Sequence, residues 1–510
     1  MTEGPDRRCA DLGCSGSESR SVVAVGGLQC PVVRSRAAIL IVALAGLLGT
    51  SSAARADFLT YGYSNARLGD IPGRVGITPR SAPRLRFHWY AKLGGAINGE
   101  PVIADAVRVG GHSRNLLVAG TGHGEVVALS ADTGEILWRH RVGFIKVKPV
   151  KDCGASPDGS FGVFGTLTID RRAGRVYAVD ARGQAWAFAL STGKVVSGWP
   201  VKVRGASGDF FWGGLTLSGG SLYVSVASLC DLDRWDGGVV AIDVHRPKRV
   251  RRWLTVPSSL GSGGGIWGWG GVSVDDRAGD VYAATGNSIG TGTGTASETL
   301  GGSEAVVHLS SKLVVEQINQ PLMPPFMIGD RDFGTTPVLL NASDCPPQLV
   351  ALNKDGELLL YDRNRIHDGP AQRVWVAANS PNALVPLYGL PAFDPATRTL
   401  VLVSPSTPIT PGLQAGVQAL TLTHACRFAV RWWHAFDFPD AGSAPTIAAG
   451  VVYIGTGRNG AVRAFRLRDG RLLWSQRLPS TTVFAAPVVD RGNLFLADWS
   501  GRVWAFRPRG

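Results

Sequence analysis

A six-residue pattern that recurs along the chain constrains the fold most strongly: Gly-x-h-x-Ala-h, in which h is apolar. Its clearest copies begin at Gly124 and Gly460. Four more begin at Gly183, Gly238, Gly416 and Gly501, a looser one at Gly356, and a degraded one at Glu304. The copies lie roughly 40 to 60 residues apart, except for one double gap that holds the degraded copy. Units of this length have room for four short strands, so the pattern predicts eight small sheets.

The residues around each copy fit tightly packed hairpins. In the copy at Ala128, the small alanine permits close sheet packing, Gly134 supplies the positive φ of a hairpin, and Trp138 reaches a neighbouring sheet. The same offsets recur at Ala464, Gly470 and Trp474. The 67 glycines and 15 tryptophans, against only 3 methionines, also favour hairpins over long helices.

This Ala-Gly-Trp spacing resembles the tryptophan-docking motif of the pyrroloquinoline-quinone (PQQ) dehydrogenase propellers. The resemblance implies an all-β fold, an eight-bladed β-propeller of four-stranded antiparallel sheets, formed as a single domain by residues 57–510. The last unit has only three strands, and residues 85–90 form an isolated strand pattern. We predict that this N-terminal strand completes the last blade and closes the ring, with Trp89 near Trp504. Residues 61–83 would form a leading loop over the ring, as in similar proteins.

The N-terminus is predicted to be a targeting segment. Arg34 and Arg36 precede an apolar stretch over residues 37–48, and Ala54-Arg55-Ala56 has the small-x-small pattern of a cleavage site. We predict a signal peptide that ends at Ala56 and a secreted or periplasmic protein. The apolar stretch is shorter than the about 20 residues of a transmembrane helix, so no stable membrane span is expected after cleavage. The first 31 residues are polar and unlike a signal peptide, and translation starting near Val32 is an alternative.

Four cysteines follow the predicted cleavage site: Cys153, Cys230, Cys345 and Cys426. An even number of cysteines in an exported chain allows two disulfides. We predict the pairs Cys153–Cys230 and Cys345–Cys426, which join neighbouring repeats. Four buried thiols are the alternative.

The net charge of +13 does not by itself predict a nucleic-acid partner, because the basic residues are spread along the chain. One dense run precedes Trp253: Arg246, Lys248, Arg249, Arg251 and Arg252. We interpret this run as an exposed hairpin, since no nucleic-acid-binding motif accompanies it. We predict a monomer that binds no nucleic acid.

The family resemblance also implies a cofactor site. In the alcohol dehydrogenases of this family, PQQ lies at the ring axis above a tryptophan, and Glu, Asn and Asp side chains bind calcium beside it. The resemblance makes Trp269 the tryptophan beneath the quinone and Asn287 a calcium ligand. Asp332 would be a calcium ligand and the catalytic base, and Lys354 would contact the quinone oxygens. Each residue also has a structural interpretation: a packed ring, a turn, a loop cap and a hairpin lysine.

Two departures from the family pattern affect the functional hypothesis. Cys153-Gly154 stands where the dehydrogenases have adjacent cysteines. The expected glutamate ligand is missing from an acidic loop over residues 230–237, where Asp231 or Asp233 could replace it or the loop could bind calcium by itself. These departures favour a non-catalytic exported propeller that presents its loops to a protein or glycan partner. The alternative is a PQQ- and calcium-dependent alcohol or sugar dehydrogenase.

Overall fold

The computed structural model describes residues 57–73, 75–148, 156–290, 300–321, 333–354, 356–376, 389–404, 415–436, 442–456, 460–479 and 482–509. These residues contain eight sheets, each with four antiparallel strands that follow the order of the chain apart from the last sheet. Asp70–Ile71 adds a parallel strand to blade 7, and Asp209–Phe210 adds a strand to blade 3. The first strands of blades 1 to 7 contact one another in succession around a central channel, and the closing strand described below joins blade 8 to the N-terminal part of the chain. The predicted all-β, eight-bladed propeller is therefore confirmed.

Blades 1 to 4 each contain four strands that follow one another from the channel to the outer edge. In blade 1 they are Val102–Val109, His112–Gly120, Glu125–Ser130 and Ile136–Arg141. In blade 2 they are Thr168–Asp170, Arg175–Val179, Gln184–Ala189 and Val201–Lys202. In blade 3 they are Thr216–Ser218, Ser221–Ser228, Gly238–Asp243 and Val250–Leu254. In blade 4 they are Ser273–Asp275, Asp280–Ala284, Val306–Leu309 and Val315–Asn319.

Blades 5 to 7 repeat this order, and blade 8 takes its outer strand from the N-terminal part of the chain. In blade 5 the strands are Val338–Leu340, Gln348–Leu352, Glu357–Asp362 and Gln372–Trp375. In blade 6 they are Ala392–Asp394, Thr399–Ser404, Gly416–Leu422 and Phe428–Ala435. In blade 7 they are Thr446–Ala448, Val451–Gly455, Ala461–Arg466 and Leu472–Arg477. In blade 8 they are Val488–Asp490, Asn493–Ala497, Arg502–Pro508 and Leu85–Lys92.

The remaining elements are short. The 3-10 helices are Ala82–Arg84 and Arg363–Asp368. The extra strands are Asp70–Ile71, Ile145–Lys146, Ser160–Phe161, Asp209–Phe210, Gly261–Gly263 and Ser288–Gly290. Within the described residues, neither helix has the length or the apolar character needed to cross a membrane.

The repeated pattern forms the third strand of every blade, including the degraded copy in blade 4. Its first residue precedes or opens that strand, and the backbone there is crowded. Gly124 has a φ of +73°, and a side-chain carbon at this position would lie 2.9 Å from the carbonyl oxygen of Gly143. Glycine is required here because other residues rarely adopt this conformation.

Tryptophan side chains join neighbouring blades in the predicted manner. Trp138 of blade 1 donates a hydrogen bond from Nε1 to the carbonyl oxygen of Leu190 in blade 2, at 2.9 Å. Its ring covers Gly193, where a side-chain carbon would lie 2.5 Å from the ring. Trp432 of blade 6 makes the same hydrogen bond to Leu467, at 2.7 Å, and its ring covers Gly470. Each tryptophan thus joins its blade to the turn of the next one.

The N-terminal strand closes the ring as predicted. Leu85–Lys92 pairs antiparallel with Arg502–Pro508, and Trp89 lies opposite Ala505, the residue after Trp504. The Trp89 ring then covers Gly134 of blade 1. The two ends of the propeller are thereby joined by backbone pairing and by tryptophan docking.

Residues 57–73 and Val75 lie inside the channel rather than over the ring, which differs from the predicted leading loop. We call this stretch the leader. Its carbonyl oxygens accept hydrogen bonds from the first strands or adjoining turns of seven blades, through the backbone N–H groups of Ile103, Ile169, Val274, Leu339, Phe393, Ile447 and Gly492. For blade 3, the Thr60 hydroxyl donates to the carbonyl oxygen of Leu215, next to the first strand. The inner edges of the first strands would otherwise leave their N–H groups unpaired, so the leader enters the channel.

The cysteines agree with the prediction as far as the described residues extend. Cys345 and Cys426 form a disulfide that links blade 5 to blade 6. Cys230 is disulfide-bonded as well, while its predicted partner, Cys153, lies outside the described residues. The predicted signal peptide, residues 1–56, also lies outside them.

The dense basic run is an exposed hairpin, as predicted. It connects the third and fourth strands of blade 3 and continues into the fourth strand. Arg246 pairs with Asp243 at 3.0 Å, and Arg252 lies 3.9 Å from Asp209. The run is therefore part of a solvated outer edge with local acidic partners.

Replacing a docking tryptophan should destabilise the ring. We expect Trp138→Ala to lower the free energy of unfolding by about 3–5 kcal/mol, because it empties a closely packed contact between blades 1 and 2. Trp138→Phe keeps an aromatic ring and loses the hydrogen bond to Leu190, so we expect a loss of about 1 kcal/mol beyond the volume change. Urea denaturation followed by tryptophan fluorescence measures both. Equal midpoints for Trp138→Ala and the wild type would contradict the docking role.

The disulfide between blades 5 and 6 should stabilise the folded protein because it lowers the conformational entropy of the unfolded chain. It joins residues separated by 81 positions, and a closed loop of this size is expected to contribute about 4 kcal/mol. We expect the double variant Cys345→Ser, Cys426→Ser to unfold at a lower denaturant concentration without reductant. With reductant present, wild type and variant should become similar. A difference that persists undiminished under reduction would show that the serines act in another way.

Candidate functional site

One face of the propeller carries the three described residues that were predicted to bind the cofactor, Trp269, Asn287 and Lys354. The loops between second and third strands emerge there, as do the loops that connect one blade to the next, because successive strands alternate in direction. We call this face the loop face. Trp269 lies between blades 3 and 4, whereas Asn287 and Lys354 follow the second strands of blades 4 and 5. The topology therefore brings residues distant in sequence to one end of the channel.

Trp269 is held in a tight glycine-rich turn. Its side chain is 7% exposed, and its ring centroid lies 5.5 Å from that of Phe484 in an edge-to-face contact. Its carbonyl oxygen accepts a hydrogen bond from Gly214, at 2.7 Å. A side-chain carbon on Gly270 would lie 2.9 Å from Leu390. The indole is thus fixed by packing from several blades, as a ring that supports a flat ligand must be.

The leader contributes to this packing from inside the channel. Gly214 lies between Trp269 and Tyr61, because a side-chain carbon at Gly214 would be 3.3 Å from the Trp269 carbonyl oxygen and 2.9 Å from Cβ of Tyr61. Tyr61 is 3% exposed and belongs to the same apolar cluster as Trp269. The position of Trp269 therefore depends on the leader as well as on the blades.

Asn287 contacts an aspartate from the neighbouring blade. Its Nδ2 donates to Oδ2 of Asp231 at 3.3 Å, and the Ser228 hydroxyl donates to the other carboxylate oxygen. The carbonyl oxygen of Asn287 accepts a hydrogen bond from Gly264, at 2.6 Å. Amide and carboxylate oxygens are the ligands that calcium prefers. Asp231 is therefore placed beside Asn287, where the family pattern has a glutamate ligand.

The other aspartates of the same loop have different partners. Asp233 accepts a hydrogen bond from the backbone N–H of Arg234 at 2.8 Å, and a hydrogen bond from Ser207 lowers the pKa of its carboxyl. Asp236 pairs with the Arg234 side chain at 3.3 Å. Across the described part of the chain, no three His, Cys, Asp or Glu side chains form a metal-binding group. The carboxylates of the acidic loop therefore do not form a metal-binding group with one another. Asp231 is the aspartate of this loop whose carboxylate contacts Asn287.

Lys354 contacts Trp267 in this structure. Its ammonium nitrogen lies 4.7 Å from the ring centroid, and a side-chain carbon on Gly334 would lie 2.6 Å from the same ring. Asp332 lies outside the described residues. Its neighbour Phe333 is fully buried and its backbone N–H donates to Thr285 at 3.3 Å, two residues before Asn287. Phe333, the first described residue after Asp332, thus lies beside the loop that carries Asn287.

A buried polar cluster beneath this face was not predicted from the sequence. Arg67 of the leader is 1% exposed and donates to the Thr60 hydroxyl and the Tyr61 carbonyl oxygen, both at 2.9 Å. Glu100 accepts a hydrogen bond from Gly62 at 2.8 Å, and burial raises the pKa of its carboxyl to about 8. Burial also lowers the pKa of Arg67 to about 10. A single charged residue in a short segment carries no periodic signal, so sequence reasoning had nothing to detect.

Comparison with known proteins supports the assignment of the repeats and identifies a similar protein whose activity is named. A family model described as outer membrane protein assembly factor BamB matches residues 89–196 and 420–510. A polyvinylalcohol dehydrogenase from a Pseudomonas species is 28% identical over 462 residues, which is 81% of this chain and 66% of that protein. The chain thus spans slightly less than two thirds of that relative's length.

Solved structures share the fold. A quinohemoprotein alcohol dehydrogenase from Comamonas testosteroni has a TM-score of 0.66 and 16% identity, covering 90% of this chain and 82% of its own. A europium-containing methanol dehydrogenase has a TM-score of 0.65 and 16% identity, covering 89% of this chain and 98% of its own. At these identities the likeness concerns the fold.

The hypothesis of a non-catalytic scaffold is contradicted by the relative that is 28% identical over 81% of this chain, because that relative is a polyvinylalcohol dehydrogenase. That hypothesis depended on the missing adjacent cysteines and on the missing glutamate ligand. Asp231 supplies a carboxylate beside Asn287, which removes the second of these two reasons. The residues present are therefore compatible in kind with calcium and a flat quinone.

The eight blades, the repeated docking contacts and these matches together show a PQQ-repeat β-propeller, similar to a polyvinylalcohol dehydrogenase and, in fold, to quinoprotein alcohol dehydrogenases.

Proposed function

We propose that this protein is a PQQ- and calcium-dependent dehydrogenase that oxidises an alcohol. The contact between Asp231 and Asn287 is the observation that carries the proposal. It combines a carboxylate and an amide from two blades on the same face as the packed ring of Trp269. A relative that is 28% identical over most of the chain is named as an alcohol-oxidising enzyme.

Calcium would be held by oxygen atoms of Asn287, Asp231 and Asp332. Two carboxylates balance the charge of the ion, and the amide oxygen adds a neutral ligand. Asp231 is already oriented by the Ser228 hydroxyl, so little side-chain freedom is lost on binding. The structure thus supports Asp231 rather than Asp233 as the replacement for the glutamate.

Trp269 would provide the flat apolar surface on which the quinone lies, and Lys354 would place a positive charge near its oxygens. Because Trp269 is nearly buried, it excludes water from one face of the ligand. Lys354 is held over Trp267 in this structure, and a contact with the quinone requires its flexible side chain to turn away from that ring.

When bound, PQQ would accept the two electrons released by the alcohol. We propose that a carboxylate oxygen of Asp332 accepts the hydroxyl proton of the substrate. General-base catalysis of this kind contributes typically 100- to 10,000-fold. The side chains of this chain would therefore supply binding, orientation and proton transfer, while the redox chemistry belongs to the cofactor.

The substrate class is proposed as an alcohol, with a polymeric secondary alcohol as the first to be tested. That choice follows the name of the 28%-identical relative, of which this chain covers 66%. A panel of polyvinyl alcohol, short primary and secondary alcohols and simple sugars distinguishes polymer, small-alcohol and sugar oxidation when assayed with an artificial electron acceptor.

Cofactor binding should require calcium and Asp231. We expect micromolar PQQ to bind the purified protein only in the presence of calcium, with a shifted quinone absorption spectrum and a higher melting temperature. Asp231→Ala removes a charged ligand, so we expect at least roughly 10-fold weaker calcium binding in the presence of PQQ. Asp233→Ala is the matched control from the same loop, and it should bind calcium like the wild type. Absence of PQQ binding to the wild type at micromolar concentration would refute the proposed function.

Export is also proposed, on the basis of the sequence before Asp57. Expression of the full chain in a bacterium with a secretory pathway should yield a mature protein in the periplasm or medium. We expect its mass and N-terminal sequence to begin at Asp57. A mature protein with a different first residue would contradict the proposed cleavage site.

A further inference from the structure

Blades 1 and 8 enclose a group of carboxylates at the point where the leader begins. We call Asp57, Asp105 and Asp490 the acidic pocket. Asp105 belongs to the first strand of blade 1 and Asp490 to that of blade 8, and their side chains are almost completely buried, at 0% and 1% exposed. Asp57 accepts a hydrogen bond from the backbone N–H of Asp105, at 2.7 Å. The pocket therefore joins the leader to the two blades that close the ring.

We propose that the acidic pocket binds the α-ammonium group that cleavage before Asp57 creates, and that this ion pair stabilises the closed ring. The inference rests on the export cleavage proposed above and is independent of the cofactor. In this proposal, proteolytic cleavage supplies the ammonium group that pairs with the buried carboxylates.

Buried oxygen atoms of the pocket lack partners. Oδ1 of Asp105 and Oδ1 of Asp490 have no hydrogen-bond partner within the described residues. Oδ2 of Asp105 pairs with Arg491 at 2.8 Å, and Oδ2 of Asp57 pairs with Arg171 at 2.9 Å. Burying a carboxylate oxygen without a donor is costly, so these two atoms indicate a missing donor.

The charges around the pocket also favour an additional cation. Asp57, Asp105 and Asp132 all lie close enough to act on Asp490, and Arg491 is the cation that opposes them. Burial and the neighbouring Asp105 raise the pKa of Asp490 to about 7. Burial raises the pKa of the Tyr63 phenol, and the nearby charges of Asp57 and Asp490 raise it further. With Arg171 counted, four carboxylates face two arginines among the described residues, which is an acidic excess in a protein whose net charge is +13.

Covalent geometry places the backbone nitrogen of Asp57 close to one carboxylate of the acidic pocket, that of Asp57 itself. It is separated from the carboxyl carbon of the same residue by only two atoms, so the two lie within about 4 Å of each other in any conformation. In an uncleaved chain this nitrogen is a neutral amide. After cleavage it is an ammonium group with three donors and an ordinary pKa of about 7.7–8.0. Cleavage thus adds a positive charge and two donors beside the carboxylates.

The test compares two forms of residues 57–510 that differ only at this nitrogen. One form has a free α-amine at Asp57, exposed by a protease that leaves no extra residue, and the other is acetylated at the same atom. Acetylation removes the charge and should lower the melting temperature near pH 6.5 by about 1–4 °C. The same pair made with Asp490→Asn should show a clearly smaller difference, because the substitution removes one of the carboxylates.

A second measurement follows the amine directly. The rate at which an amine-reactive label modifies the α-amine should give a pKa at least about one unit above the ordinary value, and unfolding should restore that value. Equal melting temperatures for the two forms together with an ordinary amine pKa would refute the proposal. These chains begin at Asp57 by design, so this result is independent of where the exported protein is cleaved.

Discussion

The hydrogen bonds between the leader and the first strands hold the centre of this propeller together. A ring of small sheets presents the inner edges of its first strands to a central channel, and those edges carry backbone groups that need partners. Residues 57–73 and Val75 supply carbonyl oxygens to seven of the eight blades in chain order, from Ile103 in blade 1 to Gly492 beside the first strand of blade 8, and the Thr60 hydroxyl donates to Leu215 beside blade 3. The channel is thereby filled by backbone pairing, and each blade is tied to a common segment as well as to its neighbours.

This arrangement links the stability of the ring to the geometry of the loop face. Tyr61 of the leader and Trp269 of the loop face pack on either side of Gly214. Displacing the leader would therefore remove support from the indole that the proposed quinone needs. The buried pair of Arg67 and Glu100 adds to this connection, because each makes hydrogen bonds to backbone or hydroxyl groups of residues 60–62.

The sequence predicted the features that repeat and missed those that occur once. Gly134, Trp138 and their equivalents recur at fixed offsets, so the blade count, the docking contacts and the closing strand Leu85–Lys92 could all be predicted. The path of the leader could not, because its contacts to the blades are mostly made by backbone carbonyl groups, which any residue possesses. The site was predicted only in part. Resemblance indicated Trp269, Asn287, Asp332 and Lys354, but choosing between Asp231 and Asp233 required the conformation of a loop without a regular pattern.

That loop conformation explains how an aspartate can stand where the family pattern has a longer glutamate. Cys230 and Asp231 have φ angles of +55° and +52°, a conformation that costs roughly 1 kcal/mol or more for each non-glycine residue. Two such residues in succession persist only where the surrounding structure holds them. Cys230 is disulfide-bonded, and the Ser228 hydroxyl holds the Asp231 carboxylate. The backbone turn thus brings the shorter side chain of Asp231 within hydrogen-bonding distance of Asn287.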